Sequence, residues 1–127
     1  MPDTANAVRT AVTWFEIPVA DLERARRFYS TILEIDIPVY DFGGPMAVFP
    51  YAEPGIGGCL VAGRSHPSPH GTLVYLNAAG RLDRTLELVE AAGGRIDSPK
   101  MRVSDTIGDV AHIIDSEGNR VGLHASP

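Results

Sequence analysis

The chain has 127 residues, 44% apolar and 21% charged, with a formal net charge of −5. That length suits one domain around a single core, and the acidic balance argues against nucleic acid or an anionic membrane surface as a partner. A single cysteine, Cys59, excludes an intramolecular disulfide and a cysteine zinc cluster and suits a reducing compartment. No apolar run approaches a membrane span, and residues 1–9 lack the apolar segment of a signal peptide, so the cytoplasm is the expected location.

Taken in chain order, Ala11–Val19 reads as a strand. Phe15, Ile17 and Val19 share a wholly apolar face that can pack on the helix that follows, while Trp14, Glu16 and Pro18 share the other. A carboxylate between an indole and a proline is either solvated or directed into a cavity where charge has a use. Asp21 stands as N-cap or first-turn acid of a helix in which Leu22, Ala25, Phe28 or Tyr29, Ile32 and Leu33 recur at helical spacing. Glu23 and Arg27, at i and i+4, are expected to support it, and Arg24, Arg26 and Arg27 to form a solvated face. Short apolar runs at Ile37–Phe42, Met46–Tyr51 and Cys59–Ala62 are separated by Gly-rich and Pro-rich turns. Residues 64–71, RSHPSPHG, form a connector in which His66 and His70 are expected to be exposed.

The pattern then begins again. Thr72–Ala78 is a strand, Arg81–Ala92 a helix stopped by Gly93-Gly94, and Arg95–Val103, Ile107–Ile114 and Arg120–His124 are strands, the last two joined by a hairpin at 115–119. The chain thus spells strand, helix, three strands, twice: an α+β fold of two tandem βαβββ modules, about 11–63 and 72–125, within one domain. Each module offers a curved sheet with a helix on its back, and two such sheets side by side are expected to enclose a cavity.

The stretches WFEIPVADLERARRFYSTIL, GTLVYLN, LELVEAAGG and DSEGNRVGLH, at this spacing, resemble the vicinal oxygen chelate superfamily. It includes glyoxalase I, fosfomycin- and bleomycin-resistance proteins and extradiol dioxygenases. The resemblance covers about residues 11–125. It implies the fold more than a reaction, because this fold hosts lyases, isomerases, transferases, dioxygenases and plain drug binders. Catalytic members hold a divalent metal with His, Glu or Gln from strands of both halves. The resemblance puts those positions at Trp14, near Leu73, near Gly57, Gly58 or Cys59, and at Gly122. Cys59 aside, none of these side chains binds a cation. The usual metal site is therefore expected to be absent, with no cofactor required, and glyoxalase I activity is not carried over.

The resemblance also implies which residues face the cavity: Glu16, one pleat beyond Trp14; His124, one pleat beyond Gly122; His112, three before the hairpin Asp; and Tyr75 and Asn77. Three roles stay open for Glu16 and His124: a buried hydrogen-bonded pair, general acid/base catalysis, or a relocated divalent metal site with His112. Trp14 in the vacated metal position can stack on a planar ligand, Tyr75 and Asn77 can anchor a carbonyl or hydroxyl, and Cys59 is a small buried hydrophobe at the edge of the ligand set. Asp109 opens a strand where close look-alikes carry an aromatic. Two functions follow. One is a lyase or isomerase acting by acid/base chemistry on a small carbonyl or hydroxy compound. The other is sequestration of a planar or hydrophobic compound in the manner of bleomycin-resistance proteins. A homodimer is the expected assembly, with modules exchanged across the interface or not.

Overall fold

The computed structural model describes residues 10–127. Residues 1–9, read above as lacking a signal-peptide core, lie outside the described residues. The first module comprises β1 (Trp14–Val19), α1 (Leu22–Leu33), β2 (Val39–Asp41), β3 (Pro45–Val48) and β4 (Gly57–Ala62). The second comprises β5 (Tyr75–Asn77), α2 (Leu82–Ala92), β6 (Arg95–Ser104), β7 (Gly108–Ile114) and β8 (Arg120–Ala125). Each module folds its strands into one sheet of the same topology, β1-β4-β3-β2 and β5-β8-β7-β6, with the first strand parallel to the fourth and the rest antiparallel. The two tandem βαβββ modules are thus present as read. Most boundaries fall within two residues of the expected ones. The exceptions are β1, which begins at Trp14 rather than Ala11, β5, which begins at Tyr75 rather than Thr72, and β3, which ends at Val48 rather than Tyr51.

The sequence supplies both ends of α1 but only the C-terminal stop of α2, whose N-cap residue Arg81 makes no side-chain capping bond. Asp21 caps α1, its carboxylate accepting from the Arg24 N–H at 3.0 Å, and Glu34 ends it in the left-handed region at φ 54°. Gly93 ends α2 at φ 111°, which glycine adopts without strain. Within α1 the charge pair is Glu23 with Arg26, at 2.6 Å, rather than Glu23 with Arg27. Nor is the arginine face simply solvated, since Arg24 reaches the second module.

Strand alternation sorts each sheet into a helix-covered and a helix-free face. Ile17, Val19, Ala47 and Leu60 of the first sheet join Leu76, Ala111, Ile113, Val121 and Leu123 of the second in one core. Phe28, Tyr29 and Ile32 of α1 and Leu82 and Val89 of α2 complete it. Each such large side chain, fully buried, contributes about 2 kcal/mol of transfer free energy. The apolar face of β1 therefore meets the helices as its alternation requires.

The modules are fastened at the β7–β8 hairpin. Tyr29, fully buried, donates to Asp115 Oδ2 at 2.6 Å, and Asp115 also accepts from the N–H groups of Glu117 and Asn119 and from Asn119 Nδ2. Burial, then the Asp115 carboxylate beside it, pushes the Tyr29 phenol well above its ordinary range. Asn119 Nδ2 donates as well to the Pro18 carbonyl at 2.7 Å, tying the hairpin to β1. Beside it Glu117 accepts from the Ala20 and Asp21 N–H groups and from Arg24 Nε at 2.7 Å. Its side chain is wholly enclosed, and burial pushes its pKa up, yet these hydrogen bonds together with one from Ser116 bring it down to about 2. No helix among the described residues is long and apolar enough to cross a membrane.

Candidate ligand-binding site

The helix-free face of the first sheet carries Trp14, Glu16 and Pro18 on β1, with Cys59 and Val61 beside them on β4 and Met46 and Val48 on β3. Cys59 lies beneath this surface, fully buried, its Sγ 3.9 Å from Met46 Sδ. Burial, then the nearby Glu16 charge, pushes its thiol up, away from the reactive thiolate. Glu16 pairs with Arg64, from the start of the connector, at 3.0 Å. It is thus a partly solvated ion pair, and its partner is not the expected His124. Arg64 stands two residues past the end of β4 and reaches back to β1; a reading that takes 64–71 as a bare connector gives no sign of it.

Four exposed rings dominate the rest of this face. Tyr51 meets Trp14 edge-on at 6.2 Å, and Tyr40 stacks with Phe42 at 5.9 Å and an interplanar angle of 24°. With Pro38, Val48, Phe49 and Pro50 they line a pocket of about 390 Å³. Tyr51 lies over Gly57, the β4 neighbour of Trp14, where a Cβ would collide with its ring. Tyr40, Phe42 and Tyr51 were not among the expected site residues. Their signal is the density of aromatics at 40–51, which a reading of the segment as short apolar runs does not use.

The helix-free face of the second sheet gathers the other expected residues in two rows. Tyr75, Gly122 and His112 are cross-strand neighbours, and so, one pleat further, are Asn77, His124 and Val110. The Tyr75 ring lies across Gly122, where a Cβ would collide with it, and its hydroxyl reaches His112 Nε2 at 2.8 Å. His112 Nδ1 is buried without a hydrogen-bond partner. Burial, then the Arg120 charge, holds the His112 imidazole below its ordinary range, against a smaller opposing pull from Asp97. Arg120 is itself paired to Asp97 at 2.8 Å. His124 Nε2 lies 2.7 Å from the Ile107 carbonyl, and Asn77 Oδ1 accepts from the Ala79 N–H. The register of β5 holds across this site. Asp109 pairs with Arg102 at 2.6 Å and shares the parity of Ala111 and Ile113, so it stands outside this face.

The expected set therefore splits: Trp14, Glu16 and Cys59 on one sheet, and Tyr75, Asn77, His112 and His124 on the other. No hydrogen bond or ion pair among the described residues joins Glu16 to either histidine, and among those residues no group of three or more His, Cys, Asp or Glu is placed to hold a metal ion. The relocated trio of Glu16, His112 and His124 is not assembled within the chain. At the other positions that the resemblance implies, the Trp14 indole and the glycines offer no ligand atom, which leaves the buried Cys59 thiol alone there. Among the described residues, two open pockets of about 480 and 490 Å³, rather than one enclosed cavity, lie along the gap between β1 and residues 72–77. Glu16, His66 and His70 line the first, as an exposed rim, and neither pocket includes His112 or His124.

Comparison with known proteins agrees with this architecture. A family model described as bleomycin resistance protein-like N-terminal matches residues 11–41. No curated protein matches the chain. Among solved structures, a glyoxalase/bleomycin resistance protein from Albidiferax ferrireducens T118 is 19% identical with a TM-score of 0.72, over 93% of this chain and 100% of that one. The fosfomycin resistance protein FosX from Listeria monocytogenes is 17% identical with a TM-score of 0.66, over 94% of this chain and 96% of its own. TnmS3, an antibiotic binding protein from Streptomyces sp. CB03234, is 21% identical with a TM-score of 0.61, over 95% and 98%. The chain has the fold of the glyoxalase and bleomycin-resistance proteins, and the resemblance to the vicinal oxygen chelate superfamily holds at that level.

Proposed function

We propose that this protein binds a planar or hydrophobic small molecule against the aromatic face of its first sheet, without the divalent metal used by catalytic relatives of the fold. The observation that carries the reading is the cluster of Trp14, Tyr40, Phe42 and Tyr51, all exposed and all lining one pocket. Exposed rings gathered in a concavity mark a site for another flat surface. The neighbour TnmS3, an antibiotic binding protein, supports it as an example of such use of the fold. A second copy of the chain is the expected partner, its polar face closing over the aromatic one and excluding water from the ligand.

The second reading is catalysis. Tyr75 and His112, in hydrogen-bond contact on an open face, are groups that hold and move protons, as a lyase or isomerase acting on a carbonyl or hydroxy compound requires. Trp14, the only tryptophan, supplies the test. Titration with planar aromatic compounds is expected to quench its fluorescence saturably, and no response to any of them would overturn the binding reading. Elemental analysis of protein purified without chelator is expected to find no stoichiometric metal. Metal lost on Glu16→Gln would restore the relocated site. Product formed from a bound carbonyl compound would decide for the enzyme.

A further inference from the structure

The polar face of the second sheet has a direction, read from the hydrogen-bonding capacity of its two histidines. His124 Nε2 faces a carbonyl oxygen, Ile107 O at 2.7 Å, which only accepts. Nε2 must therefore carry the proton, and in the neutral ring Nδ1 is left as a bare acceptor. No hydrogen bond engages His124 Nδ1, and it is not among the buried unpaired atoms, so it is open to a ligand.

His112 poses the opposite problem. Its Nε2 meets the Tyr75 hydroxyl, and its Nδ1 is buried with no partner. If the phenol donated to Nε2, the proton of the neutral ring would sit on Nδ1 as an orphaned buried donor, the costlier kind of unpaired group. If Nε2–H donates to the phenol oxygen, Nδ1 is left as a lone pair and the cost is smaller. In that arrangement the Tyr75 O–H is free to point outward, and the bond it accepts polarises it into a better donor. Tyr75 is 46% exposed, so its hydroxyl proton can reach a ligand.

The geometry points to a ligand site on the second sheet in which Tyr75 is the hydrogen-bond donor and His124 Nδ1 the acceptor. Its complement is a compound with a carbonyl-type oxygen at one end and a hydroxyl or N–H at the other. The two rows lie one pleat apart, about 6.6 Å along the strands, which suits groups at opposite ends of a single ring. Within the second row the Asn77 side chain is held by its oxygen, which accepts from the Ala79 N–H. This inference rests on the binding reading above and names the polar complement of the ligand that the aromatic face takes.

The test is long-range proton–nitrogen NMR of the histidine rings in labelled full-length protein, above the ordinary histidine titration range. Para-hydroxyacetophenone and its methyl ether serve as probes. Both rings are expected to carry their proton on Nε2. The hydroxy ketone is expected to shift His124 Nδ1 and to bind about tenfold more tightly than the ether, which lacks the donor. A proton on Nδ1 of either ring overturns the assignment. Equal affinity for the two probes overturns the ligand class. In Tyr75→Phe the His112 ring, having lost its acceptor, is expected to redistribute its proton between the two nitrogens; an unchanged His112 signal overturns the donor role of Tyr75. Failure of the binding reading would show separately, as Trp14 fluorescence indifferent to both probes.

Discussion

The two helix-free faces are built on one plan and filled with different chemistry. Each sheet lays a tyrosine ring over a glycine of its fourth strand, Tyr51 over Gly57 and Tyr75 over Gly122. On the first sheet the surroundings are indole, phenyl and phenol, and the one carboxylate is neutralised by Arg64. On the second they are imidazole, amide and a guanidinium–carboxylate pair. A repeat need only conserve the backbone device; the side chains around it are free to diverge into a wall that stacks and a wall that hydrogen-bonds.

The comparison depends on the hairpin that holds the sheets in register, so the largest effect is expected there. Asp115→Ala strands the Tyr29 hydroxyl and three N–H donors in a buried site. It should cost about 3 kcal/mol or more in urea unfolding. A loss under about 1 kcal/mol would show that the shared core alone fixes the two faces.

Glu117 acts at the same junction through pH. Its folded pKa lies below the unfolded value, so the stability it contributes is present above the ordinary glutamate range and is lost as pH falls toward about 2. The amount is on the order of 3 kcal/mol. Glu117→Gln should be less stable at neutral pH and lose less on acidification; parallel acid curves for the two proteins would remove Glu117 from that role.

Trp14→Ala separates binding from folding. With Trp14 38% exposed, stability should change by no more than about 1 kcal/mol, while affinity for a planar ligand, read by calorimetry, drops about tenfold or more. Unchanged affinity would move the ligand off the first sheet.

The smallest expected effect sharpens the polar side. Burial first, then Arg120, holds His112 below its usual range, so the unfolded chain takes this proton before the folded one. Its contribution therefore diminishes stability as pH falls through the ordinary histidine range. In Arg120→Gln the NMR titration of His112 should shift upward only partway, because burial remains.

Much of this was legible in the residues. Alternation along WFEIPV set apart the apolar face that packs on the helices, since a strand's period of two leaves little choice once one face is apolar. The repeat announced both sheets. Alternation says which side of its own sheet a residue occupies but not which other sheet lies opposite, so it leaves open whether Glu16 meets the two histidines, which stand on the other sheet. The Arg64 pair and the Asp115 network escaped for a related reason. Both are tertiary contacts made by residues whose local signals read only as connector and turn.

The helix side of both sheets forms one core that shares only Phe49 with the lining of the aromatic pocket, so fold and preference occupy largely separate sets of positions. A combinatorial library confined to Trp14, Tyr40, Phe42, Tyr51, Tyr75, His112 and His124 should consist mainly of folded members. The scaffold can then be selected toward new chemical recognition while its foldability goes along as a passenger.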